Sequence, residues 1–223
     1  MLFPNSPPKS KAELLERCQN IEGLTLGQLA LLIGISIPYS PLQRKGFAGT
    51  LVELALGASA KGKPLPDFHF LEIELKTLPI NENGKVAEST FITSIPLMTI
   101  QQEKWKTSQC YKKLKSILWV PIEDNNTIPY SARRIGKAVL WSPNKETENI
   151  LESDWLELTF MISAGRLEEI NAGMGQYLQI RPKAANNKSL CYGINALGEK
   201  ILTLPRGFYL RSSFTNSIVH LAI

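Results

Sequence analysis

One stretch constrains the fold more than any other: PLPDFHFLEIELKTLP, residues 64–79. Its second half alternates apolar and charged residues. In an extended strand successive side chains point to opposite faces. Glu72, Glu74 and Lys76 are therefore predicted on one face, and Ile73 and Leu75 on the other. Such a strand needs helices or a second layer against its apolar face. Its charged face has two readings. It is a solvated surface, the ordinary fate of charges on a strand. Alternatively, Asp67, Glu74 and Lys76 form a metal-dependent phosphodiesterase centre. Carboxylate oxygens and water suit Mg²⁺, a hard cation. A bound metal supplies hydroxide and stabilises charge on the phosphate, and a lysine beside it orients the water or neutralises that charge. Asp…Glu-x-Lys recurs by chance, so the pattern alone does not choose.

The surrounding chain says what the strand packs against. Ser10-Lys11-Ala12-Glu13 has the form of a capping box and opens a helix with Leu14, Leu15 and Cys18 on one face. TLGQLALLIG (25–34) is a second helix, ending at its glycine. SIPYSPLQRKG then breaks helicity. GFAGTLVELALGAS (46–59) is a third helix, with Phe47, Leu51, Leu54, Ala55 and Ala58 at helical spacing. Glu53 lies among these apolar residues. It is either on the helix's exposed stripe or a third carboxylate aimed at the same metal, because an unpaired charge in apolar surroundings is costly. After the acidic strand, Asn83-Gly84 predicts a turn and ESTFITSIPLM a second strand, together a hairpin. KLKSILWVPI, RIGKAVLWSP, GQYLQIRPK and RGFYLRSSF are further strands, residues 144–165 a long helix, and the C-terminus a short one. The fold class is mixed α/β (α+β): a mostly antiparallel central sheet flanked by helices.

Charge placement narrows the function. The net charge of +5 is concentrated: residues 173–223 have six basic side chains and one acid, residues 101–137 eight and three. Residues 145–169 reverse the balance, with seven acids and two basic residues. Two basic stretches flanking an acidic one suggest a surface facing a polyanion such as nucleic acid. Three scattered cysteines and two histidines argue against a zinc site and for buried, reduced thiols. No apolar run approaches the roughly 20 residues of a membrane span. No apolar segment follows Lys9 and Lys11 to make a signal peptide, so a cytoplasmic protein is expected. Trp119, Trp141 and Trp155 are expected in the core, and His69, between Phe68 and Phe70, in packing or a local hydrogen bond.

A longer resemblance then appears. KGFAGTLVELALGASAKGKPLPDFHFLEIELKTLPI is similar to the signature region of the MutH family, strand-discriminating endonucleases of methyl-directed mismatch repair. STFITSIPL, KLKSILWVPIE, IPYSARRIG, LWSPN, YLQIRPKAAN and ILTLPRGFYL continue it in the family's order, from about Leu24 to the C-terminus. A more distant likeness is to restriction endonucleases that cleave GATC.

The resemblance implies a restriction-endonuclease-like core in a single domain over residues 1–223. An N-terminal catalytic lobe (about 1–100) and a C-terminal DNA-reading lobe (about 101–223) would form a DNA cleft. It implies that Asp67 and Glu74 bind Mg²⁺ with help from Glu53 or the Leu75 carbonyl. Lys76 is the lysine of the motif, and Lys113 a further lysine approaching the site. Arg181, Pro182 and Lys183 match the family's sequence-reading segment and Tyr209 its sensor of adenine methylation; Lys45 and Phe91 fall in matching blocks on the DNA side. The implied activity nicks the unmethylated strand at hemimethylated GATC, as a monomer, under MutL and indirectly MutS. The alternatives are a dimeric GATC restriction enzyme cutting both strands and a catalytically inactive DNA-binding module. Glu72 departs from the family pattern, where a small residue is expected, and residues 98–113 depart in wording, which weakens the match at Lys113.

Overall fold

The computed structural model describes residues 6–60, 65–184, 186 and 188–220; Pro64, the first residue of the acidic segment, lies outside them. Polar caps set the first helices. Ser10 caps α1 (Lys11–Ile21), its Oγ accepting the Glu13 N–H at 3.1 Å. The reciprocal half of the expected box is diverted, because the Glu13 carboxylate accepts from the Lys9 N–H and pairs with Arg17. A complete box starts α2 (Leu26–Ile33), between Thr25 and Gln28. One helical turn, α3 (Pro41–Arg44), forms inside the segment expected to be helix-free, since Ser40 caps it and Pro41 suits its first position. α4 (Phe47–Leu56) ends at Gly57 in the left-handed conformation. Leu51, Val52, Ala55 and Leu56 bury one face of α4. Leu54, expected in that core, is 49% exposed because it falls one position off the buried stripe.

Eight strands follow among the described residues: β1 (Glu74–Ile80), β2 (Thr90–Ser94), β3 (Ile117–Glu123), β4 (Val139–Trp141), β5 (Leu178–Pro182), β6 (Cys191–Ile194), β7 (Lys200–Thr203) and β8 (Arg206–Leu210). The remaining helices are α5 (Gln109–Leu114), α6 (Lys145–Ser163) and α7 (Ser212–His220). The fold class is the expected mixed α/β, and four of the five strand pairings are antiparallel. The strands form not one central sheet but two three-stranded sheets, β1-β3-β4 and β2-β8-β5, and the hairpin β6-β7. The chain divides into two units. The first comprises residues 1–88, 115–142 and 216–223; the second, residues 89–114 and 143–215.

In the first unit, β1 pairs in parallel with β3, Glu74 opposite Ile117 through Ile80 opposite Glu123. This overturns the expected β1–β2 hairpin. The Asn83-Gly84 turn exists: the Asn81 side chain accepts two N–H groups and Gly84 takes φ 71. It closes only the single bridge Ile80–Val86. The chain then leaves for the second unit and returns as β3, which is how a parallel neighbour is reached. β1 and β3 share a core with α1, α2 and α4 that includes Leu14, Leu29, Leu51, Ile73, Leu75 and Val120. Trp119 is fully buried and tilts against the half-buried Trp141.

In the second unit, α6 buries Leu151, Trp155, Leu158 and Ile162, as its spacing predicts. It also buries Asp154, which is 5% exposed. That carboxylate accepts the backbone N–H groups of Gln176, Tyr177 and Leu178 at 2.7–2.8 Å. Arg211 holds the same loop from the other side, donating to the carbonyls of Ala172, Met174 and Gly175. Gly175 has φ 76, and a Cβ there would lie 2.0 Å from the Leu178 carbonyl oxygen. The entry into β5 is thus clamped by the buried Asp154 and the half-buried Arg211. Cys18, Cys110 and Cys191 are free; burial pushes the Cys18 thiol up to about 12 and that of Cys110 well above its ordinary value, so both stay protonated.

Replacing Asp154 removes the acceptor of three backbone N–H groups, one of them in a fully buried bond. Asp154→Ala is expected to lower stability by about 3 kcal/mol in urea unfolding, and Asp154→Asn by less, since the amide oxygen still accepts.

Candidate functional site

The start of β1 gathers three of the residues singled out in the sequence. The Glu74 N–H donates to the Ser116 carbonyl at 3.0 Å, toward β3. Along a strand, successive residues turn their N–H and C=O groups to alternate edges. The backbone groups of Leu75 therefore face away from β3, and there the Asp67 Oδ2 accepts the Leu75 N–H at 2.8 Å. The chain between them makes this possible. A 3-10 turn at His69–Leu71 leads to Glu72 in the left-handed region (φ 56), and a bridge between Phe68 and Ile73 closes the reversal. Glu74 itself is 1% exposed, and Lys76 Nζ lies 2.7 Å from its Oε1. The solvated-face reading of this strand fails for Glu74. A carboxylate so buried needs charge compensation, and Lys76 is placed to supply it.

Glu72 does not share that face. It precedes the strand, is exposed, and pairs with Lys115 at 2.7 Å. The ammonium of Lys115 holds its carboxyl below the usual value. The extra carboxylate is thus directed away from Glu74 by its own backbone conformation. His69 is exposed, its ring 5.5 Å from that of Phe70.

Glu53 is half-buried on α4, whose Gly49 approaches Thr77 of β1. The loop after α4 is tied to Asp67, whose carbonyl accepts the N–H groups of Ser59 and Ala60. Among the described residues no three acidic, histidine or cysteine side chains converge to hold a metal by themselves. The donors at the start of β1 are the Asp67 and Glu74 carboxylates and the Leu75 carbonyl, all hard oxygens. That set suits Mg²⁺, which keeps several waters and often takes only one or two protein carboxylates. Lys113 is half-buried in the last turn of α5, in the second unit; it is Lys115 that lies against the acidic segment. Lys45 is exposed, immediately before α4.

The second unit gathers the remaining predicted residues on the β2-β8-β5 sheet, with Phe91, Arg181 and Tyr209 on one face and Pro182 and Lys183 at the end of β5. Phe91, Tyr209 and Gln179 are register partners across the three strands, and Arg181 lies opposite Gly207. Phe208, Leu210, Leu178 and Ile180 occupy the buried face. The Phe91 and Tyr209 rings meet edge to face at 5.3 Å, and Lys183 Nζ stands 4.3 Å over the Phe91 ring. Arg181 donates to Ser89 Oγ at 2.7 Å, and Pro182 is exposed at the end of β5. Burial raises the Tyr209 phenol, only partly opposed by the Arg181 guanidinium, so it remains a neutral O–H donor at neutral pH. The Phe91 ring occupies the space over Gly207, where a Cβ would lie 2.8 Å from it. Gly207 and Gln179 were not singled out from the sequence; only the cross-strand register reveals them.

The family model described as "MutH: DNA mismatch repair enzyme MutH" matches residues 56–154. The DNA mismatch repair protein MutH of Escherichia coli K12 is 48% identical over 214 residues, covering 96% of this chain and 93% of its own. Those of strains HS and 536 match to the same extent. The chain belongs to the MutH family. It is thus a DNA mismatch repair endonuclease of a nuclease class that uses divalent metal, and the residues matched by the family model contain the acidic segment and β3 described above. No helix among the described residues is long and apolar enough to cross a membrane.

Packing on the MutH sheet face yields a test. Gly207→Ala drives a methyl group into the Phe91 ring and is expected to cost about 1–3 kcal/mol in urea unfolding. Phe91→Ala in the same chain removes the obstruction, so the double variant should be more stable than the sum of the single effects predicts.

Proposed function

We propose that this MutH-family endonuclease nicks the unmethylated strand of hemimethylated GATC on the 5′ side of the guanine, with Mg²⁺, leaving a 5′-phosphate and a 3′-hydroxyl. The observation that carries the proposal is the Asp67 carboxylate bonded to the Leu75 N–H beside the buried Glu74–Lys76 pair. Asp67 and Glu74 would hold the ion, with the Leu75 carbonyl or Glu53 completing the protein donors. When bound, Mg²⁺ supplies an activated water and compensates charge on the phosphate. Lys76, held by Glu74, orients the attacking water and stabilises the charge that develops on the phosphoryl oxygens. Lys113 is the second lysine of this proposal, and Lys45 a phosphate contact that positions the duplex.

The sheet face of the second unit supports the specificity half. An arginine donates two hydrogen bonds to guanine O6 and N7 in the major groove, the role assigned to Arg181 with Pro182 and Lys183 beside it. Phe91 contacts DNA on the same face. Tyr209 discriminates by exclusion: a phenol packed against adenine N6 leaves no room for a methyl group. The residues implicated in metal binding lie in the first unit and most of those implicated in reading in the second, in keeping with a catalytic N-terminal lobe and a DNA-reading C-terminal lobe. The enzyme acts in the cytoplasm as a monomer on double-stranded DNA. It is switched on by MutL, which MutS loads at a mismatch.

Plasmid nicking with unmethylated, hemimethylated and fully methylated GATC, each with and without MutL, tests the proposal. Nicked circles on the first two substrates, increased by MutL, are expected. Linear product from a protein dimer would identify a restriction enzyme instead. Asp67→Ala should lower nicking at least about 100-fold while DNA binding survives. If wild type binds DNA but never nicks it with Mg²⁺ and MutL present, the nuclease assignment is wrong. Tyr209→Ser should relax the preference for unmethylated over methylated GATC by about 10-fold; an unchanged ratio removes Tyr209 from that role.

A further inference from the structure

The sheet face that carries Arg181 and Tyr209 holds one further side chain with a base-reading group. Gln179 lies directly opposite Tyr209 in the β5–β8 register and two residues before Arg181 on the same strand. It therefore shares their face. The positions of Lys183 over Phe91, and of Phe91 over Gly207, fix which face that is. Gln179 is 7% exposed, and its side chain forms no hydrogen bond with any described residue.

That placement is unusual for this residue type. Glutamine is among the residues usually left in water. Its amide oxygen and nitrogen are not among the fully buried, unpartnered side-chain atoms of the described residues, so they stay accessible to a partner. Nothing on the buried face requires an amide here, since Leu178 and Ile180 on either side of it supply the core contacts. The amide's chemistry does match something outside the chain. Its oxygen accepts and its NH₂ donates, which is the complement of adenine N6–H and N7 in the major groove. N6 is also the atom that adenine methylation modifies.

We propose that Gln179 is a specificity-determining residue, its amide bonding N6–H and N7 of a GATC adenine beside Tyr209. This rests on the GATC assignment above and extends it to a residue that reads by attraction where Tyr209 reads by exclusion.

The test compares wild type and Gln179→Leu on a hemimethylated GATC duplex and on the same duplex with 7-deazaadenine, which lacks N7, at the adenine of one strand and then of the other. Nicking is measured with Mg²⁺ and MutL, and affinity separately by fluorescence anisotropy with Ca²⁺ replacing Mg²⁺. For wild type, 7-deazaadenine in one strand should weaken kcat/KM and affinity about 10-fold. Gln179→Leu should lose a similar factor on the natural duplex and nothing further on the modified one, with its melting temperature unchanged or raised. Indifference of wild type to 7-deazaadenine overturns the proposal, as do additive losses. So does a lowered melting temperature with equal losses on every duplex, which marks a purely structural side chain. If wild type binds but does not nick, the nuclease assignment falls while the affinity comparison still decides Gln179. If it shows no preference for GATC, both fall.

Discussion

The hydrogen bond from the Leu75 N–H to the Asp67 carboxylate is the constraint on which the candidate metal site depends. β1 lies at the end of its sheet, so alternate backbone groups have no strand to pair with on that side. An aspartate eight residues earlier fills one of those vacancies. The reversal that brings it there needs a left-handed residue, and Glu72 adopts that conformation although it is not glycine. A left-handed non-glycine residue is uncommon, and such conformations cluster where surrounding structure enforces them. Here the Phe68–Ile73 bridge and the Lys115 ion pair flank it. The carboxylate is thus carried by a short strained turn, between a backbone tie to the end of α4 and the first residues of β1.

The same logic of clamped backbone recurs in the second unit. Asp154 and Arg211 hold the loop before β5 from opposite directions, and Gly175 is needed where a Cβ would strike the chain. β5 then enters the sheet in a register that aligns Gln179 with Tyr209 and Arg181 with Gly207. Small residues matter on this face for a packing reason. Gly207 leaves room for the Phe91 ring, which in turn meets Tyr209 and Lys183. A surface that must present several groups to one ligand benefits from such fixed neighbours, because each is ordered before the ligand arrives.

Much of this was legible in the chain, and the misses have physical causes. Helices announced themselves through caps and 3.6-residue spacing, so α1, α2, α4 and α6 matched expectation to within a few residues. Short elements without periodicity, α3 and β6-β7, did not. The β1–β2 hairpin was a sound inference from Asn83-Gly84, but a turn specifies only its own few residues. Which strand β1 pairs with is settled by burial on both of its faces, and the parallel partner lies 43 positions away in the register. Glu72 illustrates the cost of strict alternation, since one left-handed residue removes it from the strand face. Glu74 shows the reverse error: its charge suggested solvent, yet Lys76 lets it stay buried.

The linear sequence by itself determined the element types, the Asp67, Glu74 and Lys76 constellation, the basic character of the C-terminal third and the MutH resemblance. These rest on local chemistry and on the order of motifs, which a chain carries whether folded or not. Tertiary structure alone decided that Asp67 reaches Leu75, that Lys115 pairs with Glu72, and that Phe91, Gln179, Arg181 and Tyr209 share one face. Those facts come from pairings between residues 8 to 118 positions apart in the chain and from one positive φ. Register and burial, not composition, fix such neighbours, because a strand's partner is chosen by the whole core it helps to close.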